Sequence, residues 1–343
     1  MVMDTLGASS GHHAPPLEGG AARARTHPMS SARDWPALDW ASWADTARHL
    51  HLMSQVIGKW RLARTPWVNH SWHATLYPVP RGLSTGPVHD QSGTLTLTLD
   101  FRDMALTAHH EGEGTLSVPL GPGSMAEFAA AARDLIARAG GAPLFHGRPN
   151  EIEPAIPFDE DTEARPWDAE AVRRYHAALL RIVPVFERFR TGFLGKVSPV
   201  HLFWGSFDLA VTRFSGRRAP LHPGGIPNLP DAVTHEAYSH EVSSAGFWPG
   251  EGAGEAMFYS YAYPTPDGFA EAAVRPEAAR WDEALGEFLL PYVAVAEADD
   301  PEETLMAFLL STYRAAAETG GWDRDALECS LGEPGRPRPV SAP

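Results

Sequence analysis

The stretch Gly195–Arg217, GKVSPVHLFWGSFDLAVTRFSGR, decides the fold class. Gly195 follows an apolar helical run and can take the left-handed conformation that closes a helix. Lys196 puts a cation at the negative end of that helix dipole. Pro199 forbids helix continuation and pushes Ser198 into an extended shape. From His201 onward the residues are mostly aromatic, β-branched or small, which predicts a strand. In a strand, side chains alternate between faces. His201, Phe203, Phe207, Leu209, Val211 and Arg213 then share one face; Leu202, Trp204, Ser206, Asp208, Ala210, Thr212 and Phe214 share the other. A face that sets Trp204 beside Ser206 and Asp208 has the character of a pocket wall, apolar with a few placed polar groups. The bland alternative is a sheet face with a satisfied carboxylate.

A similar pattern stands upstream. Trp43, Ala47, Leu50, Ser54 and Ile57 have helical spacing and predict a helix over 42–57, ended by Gly58-Lys59 as Gly195-Lys196 end the later one. Pro66 follows, and then a second aromatic strand over 67–77. It carries His70 and Trp72 on one face and Asn69, Ser71, His73, Thr75 and Tyr77 on the other. Leu95, Leu97 and Leu99 alternate with threonines, and 104–109 answers them across a short turn, which predicts a hairpin. Residues 115–120 add a fourth strand. Ser124 with Glu127 forms a capping-box pattern for a helix stopped by Gly140-Gly141.

In the second half, Val172, Tyr175, Leu179, Ile182, Phe186 and Phe189 make a core-facing helical stripe with Pro184 inside it. Strands are expected at 201–214, 234–244, 256–263 and 287–295. Asp300, Pro301, Glu302 and Glu303 open the last helix, and Gly320-Gly321 stop it. The expected fold is therefore α+β: two related helix–four-strand–helix halves, with mainly antiparallel sheet covered by helices. The expected boundaries are a disordered tail over 1–33, a first repeat over 34–141, an acidic Pro-rich connector over 142–167, a second repeat over 168–328, and a tail over 329–343. A short strand is possible at 143–148.

Composition narrows the function classes. The chain has 343 residues and a formal net charge of −15, which disfavours a nucleic-acid or anionic-membrane surface. The one cysteine, Cys329, excludes an intrachain disulfide framework and fits a reducing compartment, so a cytoplasmic location is expected. No apolar run is long enough to span a bilayer. No GxGxxG, Walker, GxSxG or kinase motif is present, and the sequence leaves the cofactor open.

The densest titratable cluster is His235-Glu236-Ala237-Tyr238-Ser239-His240-Glu241. Its histidines are five apart, against the four that a helical zinc motif needs, so no metal site is assigned. The candidate catalytic set is His240, Glu241, His201 and Asp208, for acid–base or metal chemistry. The candidate ligand-binding set is His70, Trp72, His73, Trp204, Ser206, Arg213, Tyr238 and Trp248, in a cleft between the two aromatic strands. Arg213, with Arg217 and Arg218, is a candidate for an anionic ligand. The carboxylates of the connector, Glu151 among them, are read as a solvated run. A small-molecule ligand is the expected partner; a non-catalytic interaction or structural protein is the alternative.

The stretches GKWRLARTPWVNHSWHATLY, EIEPAIPFDED, GKVSPVHLFWGSFDLAVTRFSGR, EAYSHEVSSAGFWPG and LLSTYRAAAETGGWDRDALE resemble a bacterial family catalogued only as a domain of unknown function, over roughly residues 35–328. The resemblance places both ends of the chain outside the domain. It implies no activity and transfers no catalytic residue.

Overall fold

The computed structural model describes residues 35–90, 93–112, 114–250 and 254–338. The expected N-terminal tail and the last residues of the C-terminal one lie outside these.

The first half opens with helix α1 (Trp40–Leu62). Strands β1 (Tyr77–Val79), β2 (Gly82–Ser84), β3 (Val88–Asp90), β4 (Gly93–Asp100), β5 (Ala105–His110) and β6 (Gly114–Pro119) follow, then helix α2 (Met125–Arg138). The second half opens with α3 (Ala169–Thr191). It continues through β7 (His201–Phe203), β8 (Asp208–Arg218), α4 (Asp231–Ala237), β9 (His240–Trp248), β10 (Met257–Tyr263), β11 (Arg280–Asp282) and β12 (Glu287–Pro291). It ends with α5 (Tyr292–Ala296), α6 (Pro301–Thr319) and α7 (Arg324–Leu327).

The strands form two antiparallel sheets. One runs β1-β2-β4-β5-β6, with β3 also on β4; the other runs β11-β12-β10-β9-β8-β7. In each half a helix precedes the six strands of one sheet and another helix follows them, with α4 interrupting the strands of the second. The sheets meet where Leu76 and Leu202 exchange two backbone hydrogen bonds, of 2.9 and 2.8 Å. Helices α2, α1, α3 and α6 pack side by side in that order; α1 and α2 lie on the first sheet, α6 lies on the second, and α3 touches both, at β1 and at β8. Amphipathic patterning accounts for this layer. Leu95, Leu97 and Leu99 are buried, while the threonines between them stay partly exposed. Phe247 and Phe258 stack toward Tyr292 of α5, with ring centroids 5.5 and 6.0 Å away.

The α+β class is as expected, and so are the capping box at Ser124, the Asp300 cap and the proline inside α3. Several boundaries differ. Each sheet has six strands, two more than expected. Helix α1 does not stop at Gly58-Lys59, because Gly58 serves packing: a Cβ there would lie inside the indole of Trp204. Helix α3 ends at Thr191, before Gly195. The expected strand over 67–77 is an irregular segment with a short 3-10 turn at Asn69–Ser71. Both His70 and Ser71 are left-handed (φ 61° and 59°), and the aromatic content of this segment serves packing, not pairing. Residues 231–237 are helical, since Pro230 and Asp231 start a turn that the strand expectation over 234–244 overlooked. Residues 292–296 are helical as well. The central stretch is a hairpin and not one strand. It reverses at Trp204–Phe207, closed by the Phe207 amide donating to the Phe203 carbonyl at 2.8 Å. Residues 143–148 form no strand, and the connector is mixed: Glu153, Asp159, Glu160 and Glu163 are exposed, while Asp161 is buried and takes both terminal nitrogens of Arg165, at 3.0 and 2.8 Å.

Candidate functional site

Helix α1 carries a polar stripe, His51, Gln55 and Lys59, at spacing four, so the three share one side of the helix. The stripe clamps two loops. Gln55 accepts from the Asn150 amide (2.8 Å) and donates to the Asn150 carbonyl (2.9 Å), and Lys59 donates to the Asn150 side chain. His51 Nε2 lies 3.0 and 2.9 Å from the carbonyls of Trp204 and Gly205. Carbonyls only accept, so this nitrogen carries the proton. Burial lowers the His51 pKa to about 4, which keeps the ring neutral at physiological pH.

Between the clamped loops and the second sheet lies a cleft of about 890 Å³. Its floor is built from Asp208, Glu151, Glu287, Tyr259 and Tyr261. Asp208, Tyr259, Tyr261 and Glu287 project from the sheet face opposite the one that carries Phe247, Phe258 and Leu290. Tyr259 lies across strand β9 at Gly246, where a Cβ would clash with its ring, and its hydroxyl donates to Asp208. Ser206 donates to the other Asp208 oxygen at 2.5 Å. The Glu151 carboxylate rests on the α-carbon of Gly205, where any side chain would displace it. The hydroxyls of Tyr238 and Tyr261 are 2.8 Å apart.

The backbone is strained around this cleft. Glu151, Phe207 and Asn228 all have positive φ (58°, 60° and 55°). Such conformations cost about 1 kcal/mol or more in non-glycine residues and gather at functional sites. The Glu151 amide donates to Pro227, and Asn228 donates to Ile152, so the two strained loops hold each other.

The electrostatics are one-sided. Burial raises the Glu151 pKa to about 7, with repulsion from Asp208 adding and the Lys59 cation opposing. Burial, then repulsion from Asp208 and Asp282, raises Glu287 to about 7 as well. Burial also raises Asp208, against its bonds from Ser206 and Tyr259. Arg48 and Arg165, which also line the cleft, are paired with Asp45 and with Asp161 and Glu163. Among the described residues none of the three floor carboxylates has an ion-pair partner.

Of the residues expected from sequence, Asp208, Ser206, Tyr238 and Trp248 line this cleft. Trp204 stands behind it, its indole donating to the Ala74 carbonyl at 2.7 Å. The others lie elsewhere. His201 is fully buried with neither ring nitrogen bonded, and burial lowers its pKa to about 3. Arg213 is not on an anion-binding surface. It is 1% exposed, with its guanidinium against the rings of Phe189, Tyr313 and Phe193 at 3.6, 4.3 and 5.0 Å. His70 bridges the Ala237 carbonyl (2.7 Å) and Lys196 (2.6 Å), and Lys196 sits over Trp72 and Phe214. His73 is buried, with the Val68 amide donating to its Nδ1. His240 meets Ser239 at 3.1 Å. Glu241 accepts from Ser215 and Arg217, and Arg217 in turn donates to carbonyls at the end of α6. The catalytic set of His240, Glu241, His201 and Asp208 is therefore not brought together.

Sequence reasoning passed over Glu151, Glu287, Tyr259 and Tyr261 as site residues. The polar period-four stripe inside an apolar helix was the signal available for the clamp.

The chain belongs to a family of unknown function, DUF5996, whose profile matches residues 35–329. No curated protein and no solved structure matches it.

Proposed function

We propose that the protein binds a small molecule in the cleft over Asp208, with Glu151 and Glu287 as acid–base groups. The observation that carries this is a trio of desolvated carboxylates at the floor of a large cleft, held by strained loops. A carboxyl that keeps its proton near neutral pH can donate it, while an ionised neighbour accepts one. The chemistry resides in carboxylates and tyrosines, and the histidines of the sequence expectation do not enter the cleft floor. An anionic ligand is disfavoured for the same reason, and so is a nucleic-acid backbone. Cytoplasmic location belongs to this proposal, on the single cysteine; among the described residues no helix is long and apolar enough to cross a membrane. The structural alternative suits Arg213, His201 and Trp204, which pack the core.

Native mass spectrometry of untagged, gently purified protein tests the reading. A stoichiometric mass that is lost on denaturation, and absent from a folded Gly205→Ala variant, is expected. Identical bare masses for both proteins, together with no thermal response to a metabolite library, would sink the proposal.

A further inference from the structure

We infer that the ligand of this cleft is an organic cation, an amine or guanidinium carried on an apolar or aromatic body. This rests on the small-molecule reading above and names its ligand class. Glu151, Asp208 and Glu287 share one cavity, and no basic side chain of the described protein pairs with them. Lys59 is near enough for its charge to act on Glu151 but makes no ion pair with it: it donates to Asn150 and lies 5.3 Å from the centroid of the Trp204 ring. Burying carboxylates is costly unless they meet a cation or take up protons. A bound cation supplies what the protein withholds.

The walls suit the same ligand. The Tyr259 and Tyr261 rings stack with centroids 6.1 Å apart, and Trp248 and Trp40 stand on the same cleft. Aromatic faces attract cations, most strongly when desolvated. The exposed part of the lining mixes the aliphatic Leu285 and Ile156, 60% and 39% exposed, with the mutually paired Arg48 and Asp45. Leu285 and Ile156 give an apolar body behind a charged head a surface to rest on. The Tyr175 hydroxyl, fully buried and without a hydrogen-bond partner, is close enough to Asp208 to feel its charge. A bare metal ion fits less well: among the described residues no group of three His, Cys, Asp or Glu side chains is arranged to hold one. A neutral polyol would leave the carboxylate charge uncompensated.

The test uses the full chain with three probes of one shape: 2-phenylethylamine, 2-phenylethanol and 3-phenylpropionate. Calorimetry and thermal unfolding at neutral pH should show saturable binding of the amine at millimolar concentration. Binding should weaken roughly ten-fold or more, about 1.4 kcal/mol, in Glu287→Gln and in Asp208→Asn. Glu287→Gln removes an unfavourable charge, so its unliganded melting temperature should not fall, and lost binding cannot be ascribed to misfolding. Equal or stronger binding of the alcohol or the carboxylate overturns the cation while leaving a small-molecule cleft in place. No response to the amine also overturns the cation, and the native mass spectrum then decides separately whether the cleft holds a ligand at all.

Discussion

The phenol of Tyr259 reaches over the backbone of one strand to donate its proton to Asp208 on the next, and it can do so only because Gly246 lies beneath the ring. Replacing Gly246 by Ala should lift the ring and cost about 1–3 kcal/mol, as overpacking does. Tyr259→Phe keeps the ring and removes the bond, and should cost about 1–2 kcal/mol. Urea unfolding of the two single variants and the double variant checks this; strictly additive losses would argue against coupling.

Stability should depend on pH in an unusual direction. Glu151 and Glu287 have folded-state pKa values raised from 4.5 to about 7. The folded state therefore holds more protons than the unfolded state between those limits, and stability falls as pH rises from about 4.5 to about 7. Facing groups are Asp208, Asp282, Lys59 and the three tyrosines. The two groups together should contribute a loss on the order of 2 kcal/mol once solvent screening of these half-buried groups is allowed for. Chemical denaturation across this range should show the slope, and Glu287→Gln should reduce it; an unchanged slope in the variant would contradict the assignment.

Gly58→Ala tests the packing of α1. In an ordinary helix interior this change stabilises by up to about 1 kcal/mol. Here the new methyl meets the Trp204 indole, so the sign should invert, with a loss of about 1–3 kcal/mol. Thermal unfolding and Trp fluorescence report the result together.

Glu151→Gly should separate stability from function. Glycine takes φ of 58° without strain, and the change also removes a raised carboxyl, so the melting temperature should rise at pH 8. Ligand binding should drop in the same variant. A fall in both would mean that the Glu151 side chain is a structural strut.

Arg213 should behave as core. Its guanidinium is buried among three rings and donates to the Phe189 carbonyl. Arg213→Ala should cost about 3 kcal/mol or more, and Arg213→Met distinctly less, because Met refills the volume. Ligand affinity in the Met variant should stay close to that of the parent.

How far the sequence reveals this molecule depends on what each residue answers to. Caps and stops such as Ser124, Glu127, Asp300 and Pro301 act within a few residues, and reading them locates α2 and α6. The alternation of Leu95, Leu97 and Leu99 likewise gives the β4–β5 hairpin. Gly58 and Gly246 answer to residues in other elements, Trp204 and Tyr259, so a local reading turns Gly58 into a helix stop and finds no role for Gly246. Asp208 was visible as a carboxylate out of place among aromatic residues. Glu151 was not, because in sequence it sits among other acids, and only the fold sets it in the cleft while Glu153, Asp159 and Glu160 stay exposed.

The two backbone hydrogen bonds between Leu76 and Leu202 are the seam where the sheets of the two halves join, and the cleft draws on both sides of it. His51 and Glu151 come from the chain before α3, and Asp208, Glu287 and the tyrosines from the chain after it. A ligand held there stitches one half to the other. Its binding energy would be felt as resistance to their parting, and protection of the Leu76 and Leu202 amides from hydrogen exchange would rise with occupancy at a distance from the ligand itself.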